Sequence, residues 1–207
     1  MKTYIPPCLL VFLLFLTACG PVNDEEVEGE FTEADFPLGE RYHPRGFALS
    51  YTPPEDWNIL RHLGIPGGLV AGPEIDNITP GLTVLRARLG PQSQSRFIRS
   101  FVEQKFLEFR QFREISERPF TTDSGIEGVR LHIQSRSETG PVRQFLYFFF
   151  RDGEAFVLTG TAPPSQANFF GQYYDRVAES FRWEEGEPEP LEEQETPVLP
   201  EDQPLAP

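Results

Sequence analysis

The stretch Phe145-Leu146-Tyr147-Phe148-Phe149-Phe150 is apolar at every position, and Ala155-Phe156-Val157-Leu158 repeats that character just after Arg151-Asp152-Gly153-Glu154. Asp-Gly accepts the positive φ of a type I′ turn, so the two runs read as the arms of a β-hairpin. A strand with one face in water alternates apolar and polar residues, and neither arm does. The hairpin is therefore expected in a sheet covered on both sides, and helices on the two faces meet that demand.

The flanking patterns supply the other elements. Phe47-Ala48-Leu49-Ser50-Tyr51 alternates, stops at Thr52-Pro53-Pro54 and resumes at Trp57-Asn58-Ile59-Leu60, which predicts a strand pair about a Pro-bounded turn. Gly68–Ala71 and Leu82–Leu89 are further strand candidates, the second ending at Gly90-Pro91. Ser93 or Ser95 then caps a helix. Its apolar stripe takes Phe97, Ile98, Phe101, Val102, Phe106, Phe109 and Phe112, opposite Arg96, Arg99, Glu103 and Arg110. Lys105 falls inside that stripe and Leu107 outside it. Strands are expected over 114–121, 126–137, 142–151 and 154–161. Ser165 is expected to cap a last helix with Phe169, Phe170, Tyr173, Tyr174, Val177 and Phe181 at helical spacing, followed by Trp183. The fold class is α/β: an α/β/α sandwich with a central antiparallel sheet.

Charge divides the chain into a single domain and two flanks. From Gly20 to Glu40 there are eight acids and no base, and from Glu184 to Pro207 nine acids, six Pro and no base. Between them, residues 41–183 hold 15 acids and 17 bases, so the −14 of the whole chain belongs to the flanks. High net charge with little to bury is the composition of disorder. The reading is an acidic linker over 19–40, a domain over 41–183 and a disordered Pro/Glu-rich tail over 184–207. Pro188, Pro190, Pro197, Pro200 and Pro204 bias that tail toward extended conformations.

The leader states an address. Lys2 precedes an unbroken apolar run, Leu9 to Leu16, that is too short to span a bilayer and fits the centre of a secretory signal peptide over residues 1–18. Leu16-Thr17-Ala18-Cys19 resembles the bacterial lipobox, which implies cleavage before Cys19 and lipid on that residue. Gly20 is not the Asp that the enteric rule links to inner-membrane retention, so the resemblance implies an outer-membrane anchor facing the periplasm. With Cys8 removed and Cys19 acylated, the mature protein keeps no thiol, which excludes Cys-based catalysis and redox sensing.

A second resemblance covers about residues 41–183. It rests on the opening Gly46-Phe47-Ala48-Leu49-Ser50-Tyr51-Thr52-Pro53-Pro54-Glu55-Asp56-Trp57 and on the hairpin running into Ala162-Pro163-Pro164. The closing helix ending Ser180-Phe181-Arg182-Trp183 completes it. These resemble the PsbP-like family, including bacterial lipoproteins of the DcrB type. The resemblance implies an α/β/α sandwich about an antiparallel sheet and a chiefly non-enzymatic role. Nothing in the residues marks a photosynthetic partner.

No catalytic constellation emerges. Glu55-Asp56 reads as turn chemistry, since neighbours on a strand point to opposite faces. In Val129-Arg130-Leu131-His132-Ile133-Gln134, His132 falls on the polar face with Arg130 and Gln134, and reads as a strand histidine rather than a base. His43 and His62 share no metal-ligand spacing, so no metal or cofactor is expected. Asp123-Ser124-Gly125 lacks the context of a nucleophile elbow, and Gly67-Gly68 that of a phosphate loop.

Arginine is the oddity. Sixteen of the domain's 17 bases are Arg. Arg130, Arg136, Arg143 and Arg151 fall on adjacent expected strands, with Arg86 and Arg88 on another. Arg presents a planar fork to carboxylate or phosphate, so this group is the candidate partner-binding set, for an acidic partner or the protein's own tail. Surface ion pairing to nearby Glu is the plainer role. The expectation is a membrane-anchored, non-catalytic binding or accessory module with an unknown envelope protein as partner, and no enzyme. The alternative is a carrier of a small apolar or anionic ligand in a pocket lined by some of the domain's 15 Phe. Nucleic acid is excluded by location and by the absence of a binding motif.

Overall fold

The computed structural model describes residues 31–61, 65, 67–108, 110–136 and 140–185. The leader with Cys19, the chain up to Glu30, His62 and the tail from Gly186 lie outside the described residues. So do the side chains of Phe106, Leu107, Phe109 and Arg110.

Strands β7 (Pro141–Arg151) and β8 (Glu154–Ala162) form the expected hairpin, with Asp152 at φ 52° and Gly153 at φ 75° in the turn. Alternation sends Phe145, Tyr147, Phe149, Phe156 and Leu158 into one core. Leu146, Phe148, Ala155 and Val157 enter a second core on the opposite face. Helix α1 (Gln94–Glu108) closes the second with Phe97 and Ile98, and Phe101 meets Phe148 edge-on at 5.4 Å. Helix α2 (Ala167–Glu179) closes the first with Phe170, Tyr173, Tyr174, Val177 and Ala178. The architecture is the expected α/β/α sandwich.

Connectivity follows from that covering. The remaining strands are β1 (Leu49–Ser50), β2 (Asn58–Leu60), β3 (Leu69–Ala71), β4 (Gly81–Arg88), β5 (Arg110–Thr121), β6 (Glu127–Arg136) and β9 (Arg182–Trp183). The main sheet runs β2-β3-β4-β8-β7-β6-β5, antiparallel throughout, with β1 and β9 paired separately. The chain leaves β4, crosses beneath the sheet as α1 to the far edge at β5, and returns through β6 and β7 to lay β8 beside β4. Ser93 caps α1, its Oγ accepting from the Arg96 N–H at 3.3 Å.

Several expectations are corrected. Phe47–Tyr51 and Trp57–Leu60 are not a hairpin: β1 pairs with β9, and β2 with β3. Pro53 and Pro54 supply no N–H, and Asp56 at φ 63° turns the chain away. Phe112 lies on β5, because the helix ends at Glu108. Lys105 sits within the apolar stripe by placing its Nζ over the Phe101 ring, 5.5 Å from the centroid. Ser165 does not cap α2; its hydroxyl donates to Asp76, and a short 3-10 turn, Pro164–Gln166, precedes the helix.

The packing boundary also precedes the charge boundary at Arg41. Phe36 is buried among Phe31, Phe169 and Tyr173, with ring centroids 5.3–5.7 Å apart. Pro37 accepts from the Tyr173 hydroxyl, and Gly39 donates to Pro53 at 2.9 Å. Residues 31–40 are thus a strap over the start of α2, because two aromatic rings outweigh the acids between them.

Helix α2 packs close on the sheet at Gly160, where an added Cβ would run into the Tyr174 ring. Gly160→Ala is expected to force α2 outward and cost ~2 kcal/mol. Urea unfolding of the variant beside the parent checks this.

Candidate functional site

The Asp175 carboxylate, on the edge of α2 that carries Gly171 and Ala178, joins several elements of the domain. Its Oδ1 accepts from Arg130 Nε at 2.6 Å and from the Tyr147 hydroxyl at 2.7 Å, and its Oδ2 accepts from Arg118 at 2.9 Å. Arg130 and Tyr147 are directly opposite on β6 and β7, and Arg118 pairs with Arg130 on β5. One helical carboxylate therefore ties α2 to three strands. The Arg130 side chain is 10% exposed, and its guanidinium also lies over the Phe145 ring at 5.1 Å. Burial opposes its charge, but Tyr147 and Asp175 together hold its pKa above the ordinary value. Burial and then Asp175 push the Tyr147 hydroxyl well up, so it stays a donor.

His132 lies beside this group, stacked on Phe145 at 4.3 Å. Burial, then the cations Arg130 and Arg143, depress its pKa to about 4, so the ring is neutral. That placement matches the polar-face assignment from the strand pattern.

The four arginines expected as one set are not one site. Arg130 is consumed by Asp175. Arg143 donates to Gln134 Oε1 at 2.7 Å, one step along the same face, and Arg136 lies exposed beyond it. Arg151 is at the other end of β7, with its guanidinium over Trp183 at 5.5 Å and its Nε 3.1 Å from Asp152. There it lines a pocket of about 220 Å³ with Ala48, Arg86, Glu154, Phe156 and Trp183. Arg86 is already held twice by Glu154, at 2.7 and 2.8 Å. Asp175 and Tyr147 did not stand out in the chain, although an acid spaced with Gly171 and Ala178 inside an aromatic helix stripe is a usable signal.

The residues behind the family resemblance have structural tasks. Ser180 Oγ donates to the Val177 carbonyl at 2.6 Å and accepts from the Thr52 N–H at 2.7 Å. Phe181 stacks on Phe149 at 4.2 Å. Trp57 packs edge-on against Tyr174 at 6.2 Å, over Gly72. Among the described residues, no cluster of three His, Cys, Asp or Glu side chains is placed to hold a metal ion, and no helix is long and apolar enough to cross a membrane.

Solved structures share this architecture. CyanoP, the PsbP of the cyanobacterium Synechocystis, aligns with a TM-score of 0.51 over 72% of this chain and 93% of its own, at 14% identity. The fold is PsbP-like. The same PsbP-like fold aligns with LpqN of Mycobacterium tuberculosis, a protein involved in cell envelope biogenesis, at TM-score 0.52 and 16% identity over 75% of this chain and 98% of that one. A protein of unknown function from Pseudomonas aeruginosa, PA94, aligns at 0.50 and 14% identity over 69% and 96%. No protein-family model matches the chain, and no curated protein matches it by sequence. At these identities the likeness concerns the PsbP-like fold alone.

Removing one partner of a buried charge group strands the others. Asp175→Ala is expected to cost ~3 kcal/mol and lower Tm by about 6–12 °C, as read by calorimetry. For His132 the folded pKa of about 4 lies below the unfolded 6.5, so the unfolded chain binds the extra proton between those values. Its stability contribution is present above pH 6.5 and is lost as pH falls toward 4. His132→Phe, which keeps the ring stack, is expected to flatten that part of the stability profile in denaturant titrations.

Proposed function

We propose that the chain is a lipid-anchored accessory protein of the bacterial cell envelope, resembling the DcrB-type lipoproteins, whose PsbP-like domain binds a partner and catalyses no reaction. One observation carries the non-catalytic reading. Asp175, Arg130 and Tyr147 are spent on each other to hold α2 on the sheet. A general base or nucleophile has to reach substrate, and three donors hold the Asp175 carboxylate against the sheet. The aromatic side chains point the same way: Phe145, Phe148, Phe149, Phe170 and Phe181 are core, not pocket lining.

Anchoring is supported by Leu16-Thr17-Ala18-Cys19 after the apolar run, and by Gly20 for the outer membrane. The involvement of LpqN in envelope biogenesis fits the same compartment. Multiple acyl chains on Cys19 exceed the two-signal requirement for stable membrane attachment. Phe31, docked on Phe169 at 5.5 Å, would then leave 11 residues (20–30) between lipid and domain.

Labelled palmitate is expected to enter the wild-type chain and not Cys19→Ser, with the mature protein recovered in the outer-membrane fraction. A Cys19→Ser chain that still takes up label, or that fractionates as the parent does, contradicts the anchor. Affinity capture of the acylated protein from its native membrane then identifies the partner.

A further inference from the structure

On the α2 side of the sheet the helix packs on β7 and β8 and reaches β5 and β6 through Asp175, leaving the end of those strands that carries Arg113 and Arg136 exposed. Charges on β5 are sorted between faces. Glu114 and Glu117 pair with Ile133 and Leu131, whose side chains enter the core beneath α1, so both acids point to that side. Arg113 pairs with Gln134 and Arg118 with Arg130, so both arginines point to the α2 side. Next to Arg113, Gln134 is opposite Arg143, and Arg136 lies two residues further along the same face of β6. Arg118 and Arg130 share the single Asp175 carboxylate. Arg113 and Arg136 are exposed, and no acidic side chain among the described residues is within ion-pair distance of either.

The tail supplies matching charge at a matching distance. The described chain ends beside Arg151, where Glu184 accepts from Ser50 and its N–H donates to Ala48 at 3.1 Å. Along β7, Arg151 and Arg143 are eight residues apart, which at ~3.4 Å per residue is about 27 Å. Glu192, Glu193 and Glu195 follow Glu184 by eight to eleven residues, with Pro188 and Pro190 in between. At ~3.1 Å per residue in an extended Pro-rich conformation, those carboxylates reach about 25–34 Å.

We propose that the acidic tail docks back on its own domain, with Glu192, Glu193 and Glu195 against Arg113 and Arg136. Exposed ion pairs are individually weak. Tethering raises the effective concentration of the tail to the millimolar range, which favours it over a free acidic partner of similar chemistry. This inference stands whether or not Cys19 is acylated.

The test places a photo-crosslinking benzoylphenylalanine at Gln194 in the full chain and maps the products by mass spectrometry. The expected product is intramolecular, joins residue 194 to β5–β7 around Arg113, Gln134 and Arg143, and falls at least fivefold when ionic strength shortens the screening length from ~10 Å to ~4 Å. The double variant Arg113→Glu, Arg136→Glu is expected to lose it, as is Glu192→Gln, Glu193→Gln, Glu195→Gln, which leaves the domain untouched. Arg96→Glu with Arg99→Glu, on the exposed side of α1, is expected to retain it. A product between two chains, a product elsewhere on the domain, or undiminished yield in the glutamine variant overturns the proposal.

Discussion

Strand β7 has no face that can meet water. Phe145, Tyr147 and Phe149 look toward α2, while Leu146 and Phe148 look toward α1, and all five are 2% exposed or less. Leaving either set open would forgo ~1.5–3 kcal/mol for each large side chain. Two helices must therefore lie on opposite sides of one hairpin. A chain that makes the hairpin late must lay α1 down before β5 and α2 after β8. The long crossover from β4 to the far edge of the sheet is the topological consequence.

Covering an apolar strand still leaves the helix free to slide and rotate, and polar contacts remove that freedom. Asp175 meets donors from β5, β6 and β7, while Ser180 and Arg41 tie the end of α2 to the N-terminal segment. Arg suits these positions better than Lys: the planar guanidinium of Arg130 satisfies a carboxylate through its edge and lies over Phe145 through its face. The arginine excess thus divides by location. Arg41, Arg118 and Arg130 fasten elements together, Arg86 and Arg151 are matched at the hairpin tip, and Arg113 with Arg136 remain turned to solvent. That last group is the part of this face with charge to offer another molecule.

Legibility varied with the range of the contacts involved. The hairpin, the two-sided burial and the positions of β6, β7, β8 and α2 were readable because side-chain period and turn chemistry are local. The polar-face placement of His132 was readable for the same reason. The pairing of Phe47–Tyr51 was not, since a short alternating stretch does not name its partner, and the partner of Leu49 is 134 residues away at Trp183. The strap at Phe31 and Phe36 was hidden by the acids around it; composition averages over a segment, whereas packing responds to two rings. Arg130, Arg136, Arg143 and Arg151 looked like one group because adjacent strands suggest proximity, but distance along a strand separates Arg151 from the others.

By itself the sequence determined the covered hairpin, the layered class and the neutral charge balance of residues 41–183 between acidic stretches, because each depends on spacing or composition within a short stretch. Only the tertiary structure decided which arginine meets which acid, that Asp175 is the fastening of α2, and that β5 turns its acids one way and its arginines the other. Those outcomes depend on register and on helix approach, which arise from contacts between residues tens of positions apart and leave no local trace in the chain.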